Sequence, residues 1–187
     1  MDTERISGKD MLEIIKKRQS DRGYFDREVE QWKLDRILEA GRLAPSACNS
    51  QPWKFIVVNE PGLKKEVARA ATSKELGFNK FVDQAPILLV IVKGKGKVIS
   101  RVGSSLKDKE YSRIDIGIAT ASICLQATAE GLGTCILGWF DEEKVKSLLG
   151  IPGQQRVELI ITLGYSSKPY RQKQRKGLSE IITYNKY

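Results

Sequence analysis

The 187-residue sequence predicts one α/β or α+β domain, residues 1–187, in which helices cover a central sheet. Three observations predict it. Stretches with helical spacing alternate along the chain with short apolar runs of strand length. The composition, 41% hydrophobic and 29% charged, is that of a globular chain long enough to bury a core without staples. No internal repeat or low-complexity linker divides the chain.

The elements follow in order. Ser7-Gly8-Lys9-Asp10 has the form of a capping box, and Met11, Leu12, Ile14 and Ile15 carry a first helix to about Lys17. Residues 18–26, RQSDRGYFD, are polar and turn-like. Trp32, Leu34, Ile37, Leu38 and Gly41 space a second helix that ends near Leu43, before Ala44-Pro45. Trp53–Val58 reads as a buried strand, and Pro61-Gly62 opens a helix through Ala71. Pro86–Val92 is a second buried strand, apolar throughout. The basic segment 93–113 reads as a loop over a pocket or a mobile insertion.

Arg113–Glu130 is the longest predicted helix, with Asp115 in its first turn and Gly131 just past its end. Its small residues, among them Gly117, Ala119, Ala121 and Ser122, fit a central core helix or a dimer interface. Thr134–Trp139 is a short strand, Asp141–Leu149 a capped helix and Arg156–Gly164 a third buried strand. Leu178–Thr183 reads as one more strand.

Charge narrows the function. Thirty-two Lys and Arg against 23 Asp and Glu give +9, and there is no histidine. A Ser-His-Asp or Cys-His nucleophile system, a histidine zinc site and a histidine base are therefore excluded. Residues 93–113 and 168–187 each carry a net +5, so the excess is concentrated in two places. Such clusters read as a solvated surface or as a site for nucleic acid, membrane phosphate or a phosphorylated small molecule. With 7% aromatics and no helix-turn-helix, RNP or zinc-finger signature, no nucleic-acid partner is expected. Cys48, Cys124 and Cys135 form no CxxC pair, and no metal site is expected. MDTERISGKD lacks the apolar core of a secretory signal, and Ile87–Val92 is far short of a membrane span. The expectation is a cytoplasmic, reduced protein without a membrane partner.

Phosphate-loop motifs are absent: Gly94-x-Gly96 and Gly131-x-Gly133 each lack a third glycine, and there is no GK[ST]. Three other segments carry chemistry. Arg18-Gln19-Ser20-Asp21-Arg22 sets two guanidiniums and a hydroxyl at a helix end, where they can fork onto a phosphate. In Ala44–Trp53, Ser46, Asn49 and Gln51 offer donors and acceptors suited to a flat heterocycle, although a self-bonded turn explains part of the string. Gly131–Trp139 has glycines that let backbone approach a ligand or pack a helix on a strand, Gly138 among them. Cys48 and Cys135 read as buried structural thiols.

Taken in this order, the segments resemble the nitroreductase family of FMN-dependent NAD(P)H oxidoreductases, from Arg18 to about Ile182. The resemblance rests on Pro45-Ser46-x-x-Asn49-x-Gln51-Pro52-Trp53, the preceding Arg-x-Ser-x-Arg element, Asp115 through the GLGTC exit, and Gly164-Tyr165 leading into a basic tail. It implies an α+β, three-layer α/β/α sandwich with a central mixed sheet, forming an intertwined homodimer with FMN at the interface. It implies that Arg18, Gln19, Ser20 and Arg22 hold the FMN phosphate and ribityl chain together with Lys173 and Arg175. Pro45, Ser46, Ala47 and Asn49 would reach the flavin from the partner subunit, with Gln51 close by, and Leu137 and Gly138 would set backbone amides near N5. Gln19 stands where the family often has a second arginine. The implied activity is hydride transfer from NAD(P)H to a nitroaromatic, quinone or similar small-molecule acceptor, with no protein catalytic residue because the flavin carries the chemistry. Flavin-fragmenting and reductive dehalogenating branches, and a non-catalytic flavin-binding protein, stand as alternatives.

Overall fold

The computed structural model describes residues 8–73, 77–94 and 110–187. Its elements are α1 (Gly8–Lys17), α2 (Gln31–Arg42), β1 (Trp53–Val58), α3 (Pro61–Ala70), β2 (Ile87–Lys93), α4 (Tyr111–Ala129), β3 (Gly133–Leu137), α5 (Glu142–Leu149), β4 (Arg156–Gly164) and α6 (Leu178–Ile181). Short 3₁₀ turns occupy Ala47–Asn49 and Val82–Gln84. Residues 95–109, most of the predicted basic loop, lie outside the described residues.

The strands form one sheet in the order β1-β2-β4-β3. Every ladder in it is antiparallel, where a mixed sheet was expected, and parallel pairing is confined to an isolated bridge between Ser20 and Thr134. The register gives the reason. Val58, the last residue of β1, pairs with Leu88 at the start of β2, so the α3 connection leaves and re-enters the sheet at the same end.

Helices cover both faces. Along β2, Leu88, Val90 and Val92 pack with Val67 and Ala71 from α3 and its end and with Val145 from α5. Ile87, Leu89 and Ile91 point the other way, onto Leu34 and Ile37 of α2 and Ile123 and Ala127 of α4. This two-sided burial explains why β2 is apolar without alternation. In β4, Leu159, Ile161 and Leu163 share the α2/α4 face, whereas Val157 and Ile160 share the opposite one. A spacing of three on one face requires a bulge, and the register steps between Ile91 and Val92, leaving Glu158 without a partner in β2.

Three expectations are corrected. β1 is an edge strand, so Trp53, Phe55, Ile56 and Val57 are half-buried rather than fully enclosed. α4 begins at Tyr111, two residues early, which moves Asp115 out of the first turn and into the core-facing stripe with Ile116, Ala119 and Ile123. Leu178–Thr183 forms no strand. Residues 178–181 make a short helix whose Glu180 carboxylate accepts from the Gly177 N–H at 2.6 Å, and Leu178 and Ile181 stay exposed away from any ladder.

α4 has two apolar faces. The inner one is core, and α2 approaches it closely at Gly41, where a Cβ would lie 2.8 Å from Ile123. The outer one exposes Ile114, Gly117, Ile118 and Ala121. Among the described residues no helix is long and apolar enough to cross a membrane.

Candidate functional site

Beyond α1 the chain runs along the start of β3. The Asp21 N–H donates to the Thr134 carbonyl at 2.8 Å, next to the Ser20–Thr134 bridge. Asp21 is buried, and its Oδ1 accepts from Gln19 Nε2 (2.8 Å) and Ser166 Oγ (2.7 Å). The room for that carboxylate comes from Gly133, where a Cβ would stand 2.6 Å from Asp21 Oδ2. From below, the Tyr24 hydroxyl donates to the Asp21 carbonyl at 3.0 Å and lies 2.6 Å from Thr162 Oγ1. Burial pushes the Tyr24 hydroxyl well above the usual tyrosine range, so it stays a neutral donor.

The C-terminal tail returns to this loop from about 150 residues away. Gln19 fastens it, its Oε1 accepting from the Arg171 N–H at 3.0 Å and its Nε2 donating to the Pro169 carbonyl at 3.3 Å. Arg171 Nη2 donates to the Ser20 carbonyl at 2.7 Å, and the Lys173 ammonium donates to the Lys16 carbonyl. The result is a cavity of about 320 Å³ lined by Arg18, Ser20, Arg22, Arg171, Lys173 and Arg175, with glutamines between them and no carboxylate among the described residues of its wall. Burial, with Arg18 and Arg175 close by, holds the Lys173 ammonium below the ordinary lysine range. Five cations gathered without a carboxylate among the described lining residues can take an anion, and guanidinium forks suit a phosphate.

The structure brings Arg18, Ser20, Arg22, Lys173 and Arg175 together in one cavity wall. Gln19 lies in the same wall but turns its amide to Asp21 and the tail backbone, so it positions rather than offers a donor. Arg171 was missed as a site residue. Its only sequence signal is membership in the basic run, which does not distinguish it from Lys168 or Lys176.

Leu137 and Gly138 lie at the far end of β3, with Gly138 four residues beyond Thr134, about 13 Å along an extended strand. Leu137 is buried and Gly138 exposed, and no heavy atom lies within 4 Å of a Cβ built at Gly138. Close helix packing within this chain thus does not require the glycine. Cys135 is buried, as expected, and burial raises its pKa, but Cys48 is exposed, against expectation, lying inside the 3₁₀ turn Ala47–Asn49, none of whose residues is buried.

The Pro45–Gln51 loop sits elsewhere. Its Ala47 N–H donates to Asp115 Oδ1 at 3.0 Å, Ser46 Oγ accepts from the Gln51 N–H at 2.9 Å, and Gln51 Nε2 donates to Asn49 Oδ1 at 2.7 Å. Cys48, Asn49 and Gln51 all have positive φ, near 50°, a strained state for side-chain-bearing residues that exposes Pro45, Cys48, Asn49 and Gln51. Asp115 lies near the start of α4, whereas Gly133 and Thr134 follow its end, about 20 Å along the helix. Within one chain the loop does not meet the cation cavity.

A family model described as the nitroreductase family matches residues 15–165. The chain belongs to the nitroreductase family. This nitroreductase-family chain is 29% identical over 183 residues to a Helicobacter acinonychis protein named oxygen-insensitive NADPH nitroreductase, covering 81% of this chain and 85% of that one. Among solved structures it is similar to a nitroreductase family protein from Clostridium novyi NT, with 35% identity, a TM-score of 0.74 and coverage of 84% and 85% of the two chains. It is also similar to an FMN-dependent nitroreductase from Clostridium difficile R20291, with 28% identity, a TM-score of 0.77 and coverage of 94% and 99%. The α+β class and the three-layer arrangement agree with these neighbours, and the chain is an oxidoreductase.

Proposed function

We propose that this oxidoreductase binds FMN and passes hydride from NAD(P)H to a nitroaromatic, quinone or similar small acceptor. The observation that carries the reading is the cation cavity without carboxylates, joined by β3 to the exposed backbone of Gly138. The cavity suits a phosphate and a hydroxylated chain, and the strand leads from it to open backbone where a flat ring can lie. When bound, FMN supplies a ring that accepts and returns hydride at N5.

The protein's own part is binding and orientation. Arg18, Arg22, Lys173 and Arg175 hold the phosphate, with Ser20 beside the ribityl hydroxyls. Gln19 and Arg171 keep the tail closed over them. Backbone at Leu137 and Gly138 would lie beside the ring, where exposed main-chain groups could hydrogen-bond to its edge. No histidine is needed, since solvent or the acceptor supplies protons.

Pro45, Ser46, Ala47, Asn49 and Gln51 complete the ring pocket from the second subunit of a homodimer. Supporting this, Met11, Leu12 and Ile15 on α1, Ile114 and Ile118 on α4 and Leu178, Ile181 and Tyr184 on the tail are all exposed apolar residues without cover in one chain. Three cysteines without a disulfide support a reducing, cytoplasmic setting.

An absorbance spectrum of freshly purified protein is the test. A flavin spectrum bleached anaerobically by NADH or NADPH is expected, with a dilution-resistant dimer in ultracentrifugation. A colourless protein that rejects added FMN refutes the reading, and bound flavin that neither donor bleaches favours a flavin-binding protein without reductase activity.

A further inference from the structure

A second cavity, of about 860 Å³, is distinct from the cation pocket. It lies between α3 and α5, and Trp139 in its wall directly follows Gly138. We infer that this cavity is a nucleoside-phosphate site that seats the adenosine end of the nicotinamide donor, an inference that rests on the flavin reading above.

Three kinds of group converge there. The first is an aromatic face. Trp139 is 45% exposed, and Phe78 meets its ring edge-on at 6.3 Å. Its backbone is held in place, because Asn79 donates through Nδ2 to both the Ala71 carbonyl (3.0 Å) and the Trp139 carbonyl (3.3 Å). An indole fixed in position and open to solvent on one side is a surface on which a purine stacks.

The second is a set of cations without partners among the described residues. Lys65, Lys80 and Lys144 line the cavity, and their ammonium groups make no hydrogen bond or ion pair among the described residues. Arg69 differs, being paired with Glu66 on its own helix. Of the remaining carboxylates, Asp141 is engaged as the N-cap of α5, accepting from the Lys144 N–H at 3.0 Å.

The third is Asp83, whose carboxylate has no partner among the described residues although its backbone carbonyl accepts from Lys64. A site for a bare anion gains nothing from a carboxylate. A ribose does, because its hydroxyls need an acceptor, and acidic side chains serve this purpose in dinucleotide sites. The Thr72 hydroxyl, which donates to the Ala68 carbonyl at 2.8 Å, keeps lone pairs for the same sugar. Ring face, acceptor and cations thus match base, sugar and phosphate. A neutral quinone would leave the three lysines and Asp83 unused.

The test uses the purified flavin-loaded protein with 5′-AMP as the probe. AMP is expected to compete with NADH or NADPH, raising KM without changing kcat. In the double variant Lys65→Glu/Lys144→Glu, whose changes are on the surface, KM for the donor rises about tenfold or more. The preference for NADH over reduced nicotinamide mononucleotide, which lacks the adenosine half, collapses in the same variant. The inference is overturned if AMP does not compete while the donor still bleaches the flavin, if AMP competes with the acceptor instead, or if the variant loses both donors equally. If neither donor bleaches the flavin, the reductase reading fails. Calorimetry with AMP then decides the cavity separately: binding lost in the double variant upholds a nucleoside-phosphate site, and no binding overturns it.

Discussion

The Ala47 N–H donates to Oδ1 of Asp115 across 3.0 Å, and Asp115 is 3% exposed with no partner for Oδ2 among the described residues. This bond joins the strained 45–51 loop to the core helix. Asp115→Ala strips the amide of its acceptor and is expected to destabilise the fold by about 1–3 kcal/mol. Asp115→Asn keeps an acceptor oxygen and relieves the idle Oδ2, so it should lose clearly less. Urea denaturation of the two variants checks this, and equal losses would contradict the anchoring role.

The cation cavity makes a sharper demand. Arg18→Ala and Arg175→Ala are each expected to weaken FMN binding by about 1.5–3 kcal/mol, the worth of a charge-assisted bond. Flavin fluorescence titration measures it. Unchanged affinity in both variants refutes the phosphate assignment.

Two glycines, one opening β3 and one just past its end, separate packing from ligand approach. A Cβ at Gly133 meets Asp21 Oδ2 at 2.6 Å and Cγ at 2.8 Å, and Asp21 is pinned by Gln19 and Ser166. Gly133→Ala is expected to cost about 1–3 kcal/mol of stability. Gly138→Ala meets nothing within 4 Å and should leave the stability of the flavin-stripped chain within about 0.5 kcal/mol, while weakening flavin binding. Thermal melts with and without FMN give both readings. A large stability loss at Gly138, or none at Gly133, would count against this division.

Acid should reach the α2–β4 junction late. Glu30 accepts from the Tyr165 hydroxyl at 2.6 Å, and that bond, with help from its own backbone N–H, Lys33 and Arg27, lowers its pKa from 4.5 to about 2. A depressed carboxylate contributes stability in full above its unfolded pKa and loses it as pH falls through the folded one. The contribution of Glu30 is therefore present above about 4.5 and disappears toward pH 2. In Tyr165→Phe the main cause is gone, so the difference in melting temperature from wild type should narrow between those values. A constant difference across that window would refute the assignment.

The sequence made some of this legible for identifiable reasons. Trp53–Val58 and Arg156–Gly164 match the observed strands end for end, because proline before and after the first and glycine at the end of the second punctuate them. The Arg18–Arg22 element was visible as guanidiniums around a hydroxyl. What stayed hidden depends on distant partners. Six residues such as Leu178–Thr183 satisfy a strand pattern locally, and only the lack of a ladder in reach turns part of them helical. Nothing near Arg171 marks it as the cation that bonds to the Ser20 carbonyl, and nothing near Lys65 places it opposite Lys144. The half-burial of β1 likewise follows from its place at the sheet edge, which no local pattern encodes.

The cation cavity is assembled from the two ends of the chain, Arg18 to Arg22 on one side and Arg171 to Arg175 on the other. The sheet, by contrast, is complete once Gly164 has entered β4. No ladder of the sheet uses residues 171–175, so the wall of the cavity depends on the return of the tail while the sheet does not. On the FMN reading, flavin retention would report whether the tail has returned to the Arg18–Arg22 loop, a closure to which the stability of the sheet is blind.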